Sequence, residues 1–297
     1  MLFLDGVGIG RADPEVNPFF AAQLPQLRKL LGGDLPHLSQ KSIHSKAASV
    51  VPLNATLSVA GLPQSGTGQT TLFTGVNAAR VIGKHFGPYP YSTLRPLIVE
   101  KNIFRMLSGI GKKVCYANAY PQRYFDHLAE HRNRITVMPM AWMAAGFRLN
   151  DFEALRTGKA LSADITGEGW VKRGFGVVPV ITPRQAGHRL VSILENHDFL
   201  LYDYYLTDHA GHDQSMKQAV GILETLDEFI GGIAEGMDRK RMLLLVTSDH
   251  GNMEDLSTKT HTRNPVPLIA VGAKKDDLAL KPKNLTHMMP AILEIMS

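Results

Sequence analysis

The chain has 297 residues, 44% of them apolar and 20% charged, with a formal charge of +5 and a single cysteine. That length buries a substantial core, the composition is that of an ordinary globular protein, and no run approaches the roughly 18 uninterrupted apolar residues of a membrane-spanning helix. Cys115 alone excludes an internal disulfide and suits a reducing cytoplasm. Lys and Arg are scattered, densest in GKK and DRKRM, whereas a nucleic-acid groove would gather them in runs with interleaved aromatics.

The start, MLFLDGVGIG, has no basic residues and no long apolar stretch, so no secretory leader is expected. MLFLD reads as a first strand. Its four residues before Asp5 fall below the usual five or six, so the native start lies upstream or the strand is short. LPQLRKLLGG reads as a helix stopped by paired glycines. SIHSKAASVVPLNATL is β-like, and TTLFTGVNAAR is a helix or helix end. TLRPLIVEKNIFRMLSGIGKK is helical and leads into the strand KVCYANA. Residues 121–181, rich in Met, Arg and Gly and holding both Trp142 and Trp170, break this rhythm. They read as an insertion or small cap over one end of the sheet. The rhythm then resumes with the helix TPRQAGHRLVSILENHD, the strand FLLYDYY, the long helix QSMKQAVGILETLDEFIGGIAEGM, the strand RMLLLVTSD and the proline-limited strand PVPLIAVG. Such alternation predicts an α/β fold, a three-layer sandwich with a mainly parallel central sheet. Its core comprises 1–120 and 182–297, and 121–181 forms the cap.

Four places deliver Asp or His from the end of an apolar element. LFLDGVGIG ends a strand at Asp5, and TDHAGHD sets Asp208 and His212 four apart, one helical turn. LVTSDHGNMED puts Asp249 and His250 side by side at the carboxyl end of a strand, where open α/β sheets place their ligands. THTRNPVP offers His261. Taken singly, an Asp after a strand is a turn former or cap, Asp208 and His212 a surface pair, and His261 a hydrogen-bonded loop residue. Taken together, they supply three carboxylates and three imidazoles without a thiolate. Oxygen donors mixed with imidazole suit Zn²⁺ or Mn²⁺, in a number sufficient for two ions. Two ions about 3.5–4 Å apart clamp the attacking and leaving oxygens of an in-line phosphoryl displacement.

A hydroxyl nucleophile is available in GLPQSGTGQTTLFTG, where Ser65, Thr67 and Thr70 precede an apolar helix whose backbone N–H groups can face an anion. Each is equally able to cap that helix. A neighbouring dication would make any of these alcohols far easier to ionise.

TSDHGNMED followed by THTRNPVP resembles, nearly residue for residue, the DHGN…HT.NPVP signature of the alkaline phosphatase superfamily, particularly its cofactor-independent phosphoglycerate mutase and phosphopentomutase branch. TDHAGH is similar to that branch's D-x-x-G-H element and FLDGVGIG to its opening strand. The motifs run in the family order from Asp5 to His261 and span essentially the whole core. The branch carries Ser or Thr followed three and four positions later by Gly-His, and more distant members place the nucleophile ten residues before the glycine of a T-G pair. Ser65 meets both rulers, with Gly68, Gln69 and Gly75 at those positions; Thr67 and Thr70 remain alternatives. The resemblance implies that Asp5, Ser65, Asp249 and His250 hold one metal ion and Asp208, His212 and His261 the other. Gln69 stands where the branch has His and is a candidate substrate contact, as are Arg80, Lys84 and Arg123, with Arg132, Arg134 and Arg173 as further phosphate-binding candidates.

One departure concerns size. Phosphoglycerate mutases of this kind insert a long second domain between the nucleophile and D-x-x-G-H, and this chain has only residues 121–181 to spare there. A mutase must shelter its intermediate from water. The short cap therefore favours a phosphohydrolase with two divalent ions, Mn²⁺ or Zn²⁺, acting on a small phosphate ester through a phosphoseryl intermediate. A phosphomutase is the alternative. A metal-binding scaffold without catalysis would need a missing ligand or nucleophile, and none is missing. A sulfatase would need a C/S-x-P-x-R context that Ser65 lacks.

Overall fold

The computed structural model describes residues 1–131 and 133–297. Seven strands form one sheet: β1 (Leu2–Leu4), β2 (Ile43–His44), β3 (Ala48–Leu53), β4 (Val114–Tyr116), β5 (Phe199–Tyr204), β6 (Leu243–Thr247) and β7 (Val266–Gly272). They lie in the order β2-β3-β7-β6-β1-β5-β4. The run β6-β1-β5-β4 is parallel, with Phe3 of β1 opposite Asp203 on one side and Thr247 on the other. Beyond β6 the sheet turns antiparallel through β7, β3 and β2. The expected mainly parallel central sheet is thus found, parallel through its centre and one side and antiparallel on the other.

Both faces are covered, which explains why the strands read as unbroken apolar runs. Along β6, Leu244 and Val246 join one buried cluster while Leu245 joins the other, and Leu2 and Leu4 are likewise split from Phe3. The first face carries the helices Pro25–Leu31, Pro183–Leu194 and Met216–Gly236. The second carries Ser65–Thr74, Ile103–Gly109, Val137–Ala144 and Met288–Met296. This is the expected three-layer arrangement. The helix Pro25–Leu31 ends on Gly32 in the left-handed conformation, φ 90°, as its paired glycines imply. The helical stretch after Ser92 is broken at Lys101, and Asn102 caps the next helix by accepting from Arg105 N.

Ser65–Thr74 begins five residues earlier than its apolar pattern suggests, and every residue in it is buried. Its hydroxyls are satisfied inside the helix: Thr70, Thr71 and Thr74 each donate to the carbonyl four residues back. A helix closed in this way can be buried without an apolar stripe. Gly68 lets it approach the β6 exit, since a Cβ there would lie 2.9 Å from the Asp249 carbonyl oxygen.

Among the described residues of 121–181 are four helices, Gln122–Glu130, Val137–Ala144, Phe152–Arg156 and Glu168–Lys172. Trp142 belongs to the second-face core, whereas Trp170 organises a small separate cluster with Leu155 and Val178. Among the described residues no helix is long and apolar enough to cross a membrane.

Phe73 anchors the Ser65 helix by meeting Phe3 edge to face at 5.4 Å. Phe73→Ala removes a fully buried ring and is expected to cost about 3–5 kcal/mol, measurable as a lowered midpoint in urea denaturation at unchanged slope.

Candidate metal centre

β1, β5 and β6 run side by side and in one direction, so their carboxyl ends open on the same rim. Asp5 follows β1, and Ser248, Asp249 and His250 follow β6. The helix Leu206–Asp213 follows β5 and sets Asp208 and His212 on one face, a turn apart. Ser65 enters from the second-face helix and His261 from the loop before β7.

The side chains form two triads. In Asp5, Asp249 and His250, and again in Asp208, His212 and His261, the candidate ligand atoms all lie within 4.8 Å of one another. His250 Nε2 is 3.0 Å from Ser65 Oγ, 3.2 Å from Asp5 Oδ1 and 3.6 Å from Asp249 Oδ2. In the second triad Asp208 Oδ2 is 3.3 Å from His212 Nε2, and Asp208 Oδ1 is 3.5 Å from His261 Nε2. The triads adjoin: the His250 and His261 rings stack at 3.9 Å and 15°.

Three observations test whether these groups fit cations. Asp249 is fully buried, yet its Oδ2 has no hydrogen-bond partner, a costly state for a carboxylate oxygen. His261 Nδ1 lies 2.7 Å from the Pro63 carbonyl oxygen and His212 Nδ1 lies 3.0 Å from that of Lys259. A carbonyl accepts only, so each ring donates from Nδ1 and, as a neutral imidazole, turns an unprotonated Nε2 inward, the arrangement used by metal-binding histidines. Those two Nε2 atoms face each other at 3.1 Å, close enough to share a cation or a proton. The donor set, carboxylate oxygens mixed with imidazole, fits divalent ions.

The electrostatics of the protein groups agree. Burial, reinforced by the Asp5 carboxylate, pushes Asp249 well above the usual carboxylate range. Burial alone would lower His250, but the Asp249 and Asp5 carboxylates outweigh it and raise the imidazole to about 10. Burial and the neighbouring His250 charge lower His261 to about 4, so it is neutral at ordinary pH. The rim holds more negative charge than its own side chains balance.

Residues 175–297 match the family model described as the metalloenzyme superfamily. The 2,3-bisphosphoglycerate-independent phosphoglycerate mutase of Desulforudis audaxviator is 28% identical over 128 residues, 41% of this chain and 25% of the mutase. The PH0037 protein from Pyrococcus horikoshii superposes with a TM-score of 0.60 at 15% identity, covering 99% of this chain and 96% of that one. The alkaline phosphatase from the Antarctic bacterium TAB5 gives 0.55 at 13%, covering 99% and 97%. The family-model match takes in the segment that carries Asp208, His212, Asp249, His250 and His261. The two solved structures speak for the fold, and the chain spans about a quarter of the length of the curated mutases it matches.

Among the nucleophile candidates, Ser65 lies at the rim beside His250, whereas Thr67 donates to the Gln64 carbonyl and Thr70 to that of Gly66. Gln69 donates to Asp5 Oδ2 at 3.1 Å. A cavity of about 720 Å³ opens beside Asp5, Ser65, Gln69 and Asp208, and Arg123 and Arg173 line it. Arg80 lines a different depression, beside Asn54 and Asn77, and Lys84 lies over the rings of Phe86 and Tyr91. Arg134 is exposed and outside the cavity lining, and Arg132 lies outside the described residues.

Several residues at this rim escaped the sequence reading. Asn252 donates to Asp208 Oδ1 at 2.6 Å. Glu254, only 1% exposed, joins three loops of the rim. Asp203 lines the cavity; burial, then the Asp5 charge, pushes its carboxyl up to about 8 against a hydrogen bond from Tyr116. Asn252 and Glu254 stand within the TSDHGNMED motif, but its spacing reveals only the Asp and His.

Replacing Asp249 by Asn separates the two demands on the rim. In chelator the variant is expected to melt at or above the wild-type temperature, because a buried charge facing Asp5 is gone. With saturating Mn²⁺ the wild type gains stability by mass action and the variant does not. Thermal melts of both proteins, with and without metal, check this; a chelated variant melting far below the wild type would contradict it.

Proposed function

We propose that this chain is a two-metal phosphotransfer enzyme that uses Ser65 as nucleophile on a small phosphate ester and passes the phosphoryl group to water. The observation that carries the reading is the meeting of Ser65 Oγ with His250 Nε2 at 3.0 Å beside the Asp5–Asp249 pair, with the second triad adjoining. Divalent ions bound by the two triads would polarise the phosphate oxygens and favour the ionised form of a nearby alcohol.

The protein's residues supply the rest. Ser65 is the first residue of its helix, so the positive end of the helix dipole faces an arriving phosphate. Its oxygen attacks phosphorus and displaces the alcohol, leaving phosphoserine, which water then opens. Gln69 fixes the orientation of Asp5. Arg123 and Arg173, on the cap side of the cavity, offer positive charge to an anionic substrate.

Hydrolysis is supported by the cap, which brings only the short helices Gln122–Glu130, Phe152–Arg156 and Glu168–Lys172 where a mutase needs full enclosure of its intermediate. The mutase reading is supported by the sequence relatives, which are named phosphoglycerate mutases. A cytoplasmic setting is consistent with the lone, buried Cys115.

Ser65→Ala is expected to lower turnover of phosphomonoesters by roughly three orders of magnitude or more while leaving both metal sites filled; near wild-type turnover would remove Ser65 from its role. Reaction in ¹⁸O-labelled water divides the two outcomes. Label in released phosphate is the result expected here, whereas an isomerised phosphate ester without label would establish the mutase.

A further inference from the structure

We propose that Glu254 is the positioning residue for both metal clusters, its carboxylate holding in one register the three loops that carry their ligands; this rests on the two-metal reading above.

Glu254 is buried, and both of its oxygens accept twice. Oε2 accepts from Gly8 N and Asn252 N, each at 2.8 Å. Oε1 accepts from Asn264 Nδ2 at 3.0 Å and from the Thr262 hydroxyl. Gly8 follows Asp5, Asn252 follows Asp249 and His250, and Thr262 and Asn264 follow His261. One carboxylate therefore ties together the exits of β1 and β6 and the loop entering β7. Asn252 extends the tie to the remaining element by donating to the Asp208 carboxylate and carbonyl.

Adjacent backbone contacts follow the same seams: Met253 N donates to Gly6 O at 2.9 Å, and Thr262 N to Gly251 O at 2.9 Å. The chain leaves room for this hub. A Cβ on Gly8 would overlap the Glu254 carboxylate, and one on Gly251 would overlap both Glu254 Oε1 and Thr262 Oγ1.

Four neutral donors on two oxygens suit a carboxylate. Glutamine has the same size, but its NH₂ must replace one oxygen: at the Oε2 position it meets the Gly8 and Asn252 N–H donors, and at the Oε1 position it fits only if the Thr262 hydroxyl turns to accept and the Asn264 amide flips. The loops would shift to relieve that contact, carrying Asp5, His250 and His261 with them. A buried carboxylate that merely stabilised the fold would change the melting temperature without changing how the folded protein holds metal.

The test compares wild type, Glu254→Gln and Asn264→Ala. Mn²⁺ affinity and stoichiometry are read by equilibrium dialysis, ligand geometry by the visible spectrum of the Co²⁺-loaded protein, and the fold by melting in chelator. Glu254→Gln is expected to weaken both Mn²⁺ sites together by about 10-fold or more and to shift the Co²⁺ bands. Asn264→Ala leaves three donors in place and is expected to do the same to a smaller degree. Two Mn²⁺ ions bound by Glu254→Gln at wild-type affinity, with an unshifted Co²⁺ spectrum, would overturn the inference, as would weakening confined to one site. If Glu254→Gln does not fold, Asn264→Ala decides, and wild-type affinity and spectrum there overturn it. A wild type that binds no divalent ion overturns the two-metal reading and this inference with it, whereas intact wild-type binding beside unaltered variants overturns this inference alone.

Discussion

Asp5 and Asp249 are buried together at the ends of adjacent strands, with one imidazole, His250, between them. Two carboxylates withdrawn from water repel each other and lose hydration, and the protein compensates only in part. Gln69 donates to Asp5, and Gly6 N lies 3.5 Å from Asp249 Oδ1. Asp249 Oδ2 is left without a hydrogen bond. Positive charge entering the cluster relieves that repulsion. A divalent ion would supply it, and His212 and His261, their Nε2 atoms 3.1 Å apart, offer a second such place alongside.

The sheet makes this convergence possible. Asp5 and Asp249 stand side by side because β1 pairs in parallel with β6, and the Asp208 helix joins them because β1 pairs in parallel with β5 on its other edge. An antiparallel neighbour would have sent its exit to the opposite rim. The antiparallel strands lie beyond β6, where β7 needs only to begin at the rim and so carries His261 in its entering loop. Every candidate ligand but His261 is thus delivered by a strand end or a helix turn packed against a buried face, which fixes it more firmly than a free loop would.

Much of this was legible in the sequence because burial on both faces writes itself as apolar runs. RMLLLVTSD, FLLYDYY and PVPLIAVG each gave a strand, and Asp208 and His212 gave the correct helical face. The antiparallel half of the sheet was not legible, since alternation of strands and helices says nothing about β3, which pairs with β7 across more than 200 residues of sequence. The start of the Ser65 helix was hidden because its hydroxyls bond to its own backbone in place of an apolar stripe. Trp142 was grouped with a cap, although it packs into the core through Phe104 at 5.0 Å. Glu254 was invisible because its four partners come from loops far apart in the chain, and only the folded rim brings them to one carboxylate.

The central claim is that two cations complete this rim. Crystals equilibrated with Mn²⁺ or Zn²⁺ and measured on either side of the metal absorption edge test it most directly. The account predicts two anomalous peaks per chain, one bonded to Asp5, Asp249 and His250 and one to Asp208, His212 and His261. Full-occupancy metal elsewhere, with both triads empty at saturating concentration, would contradict it.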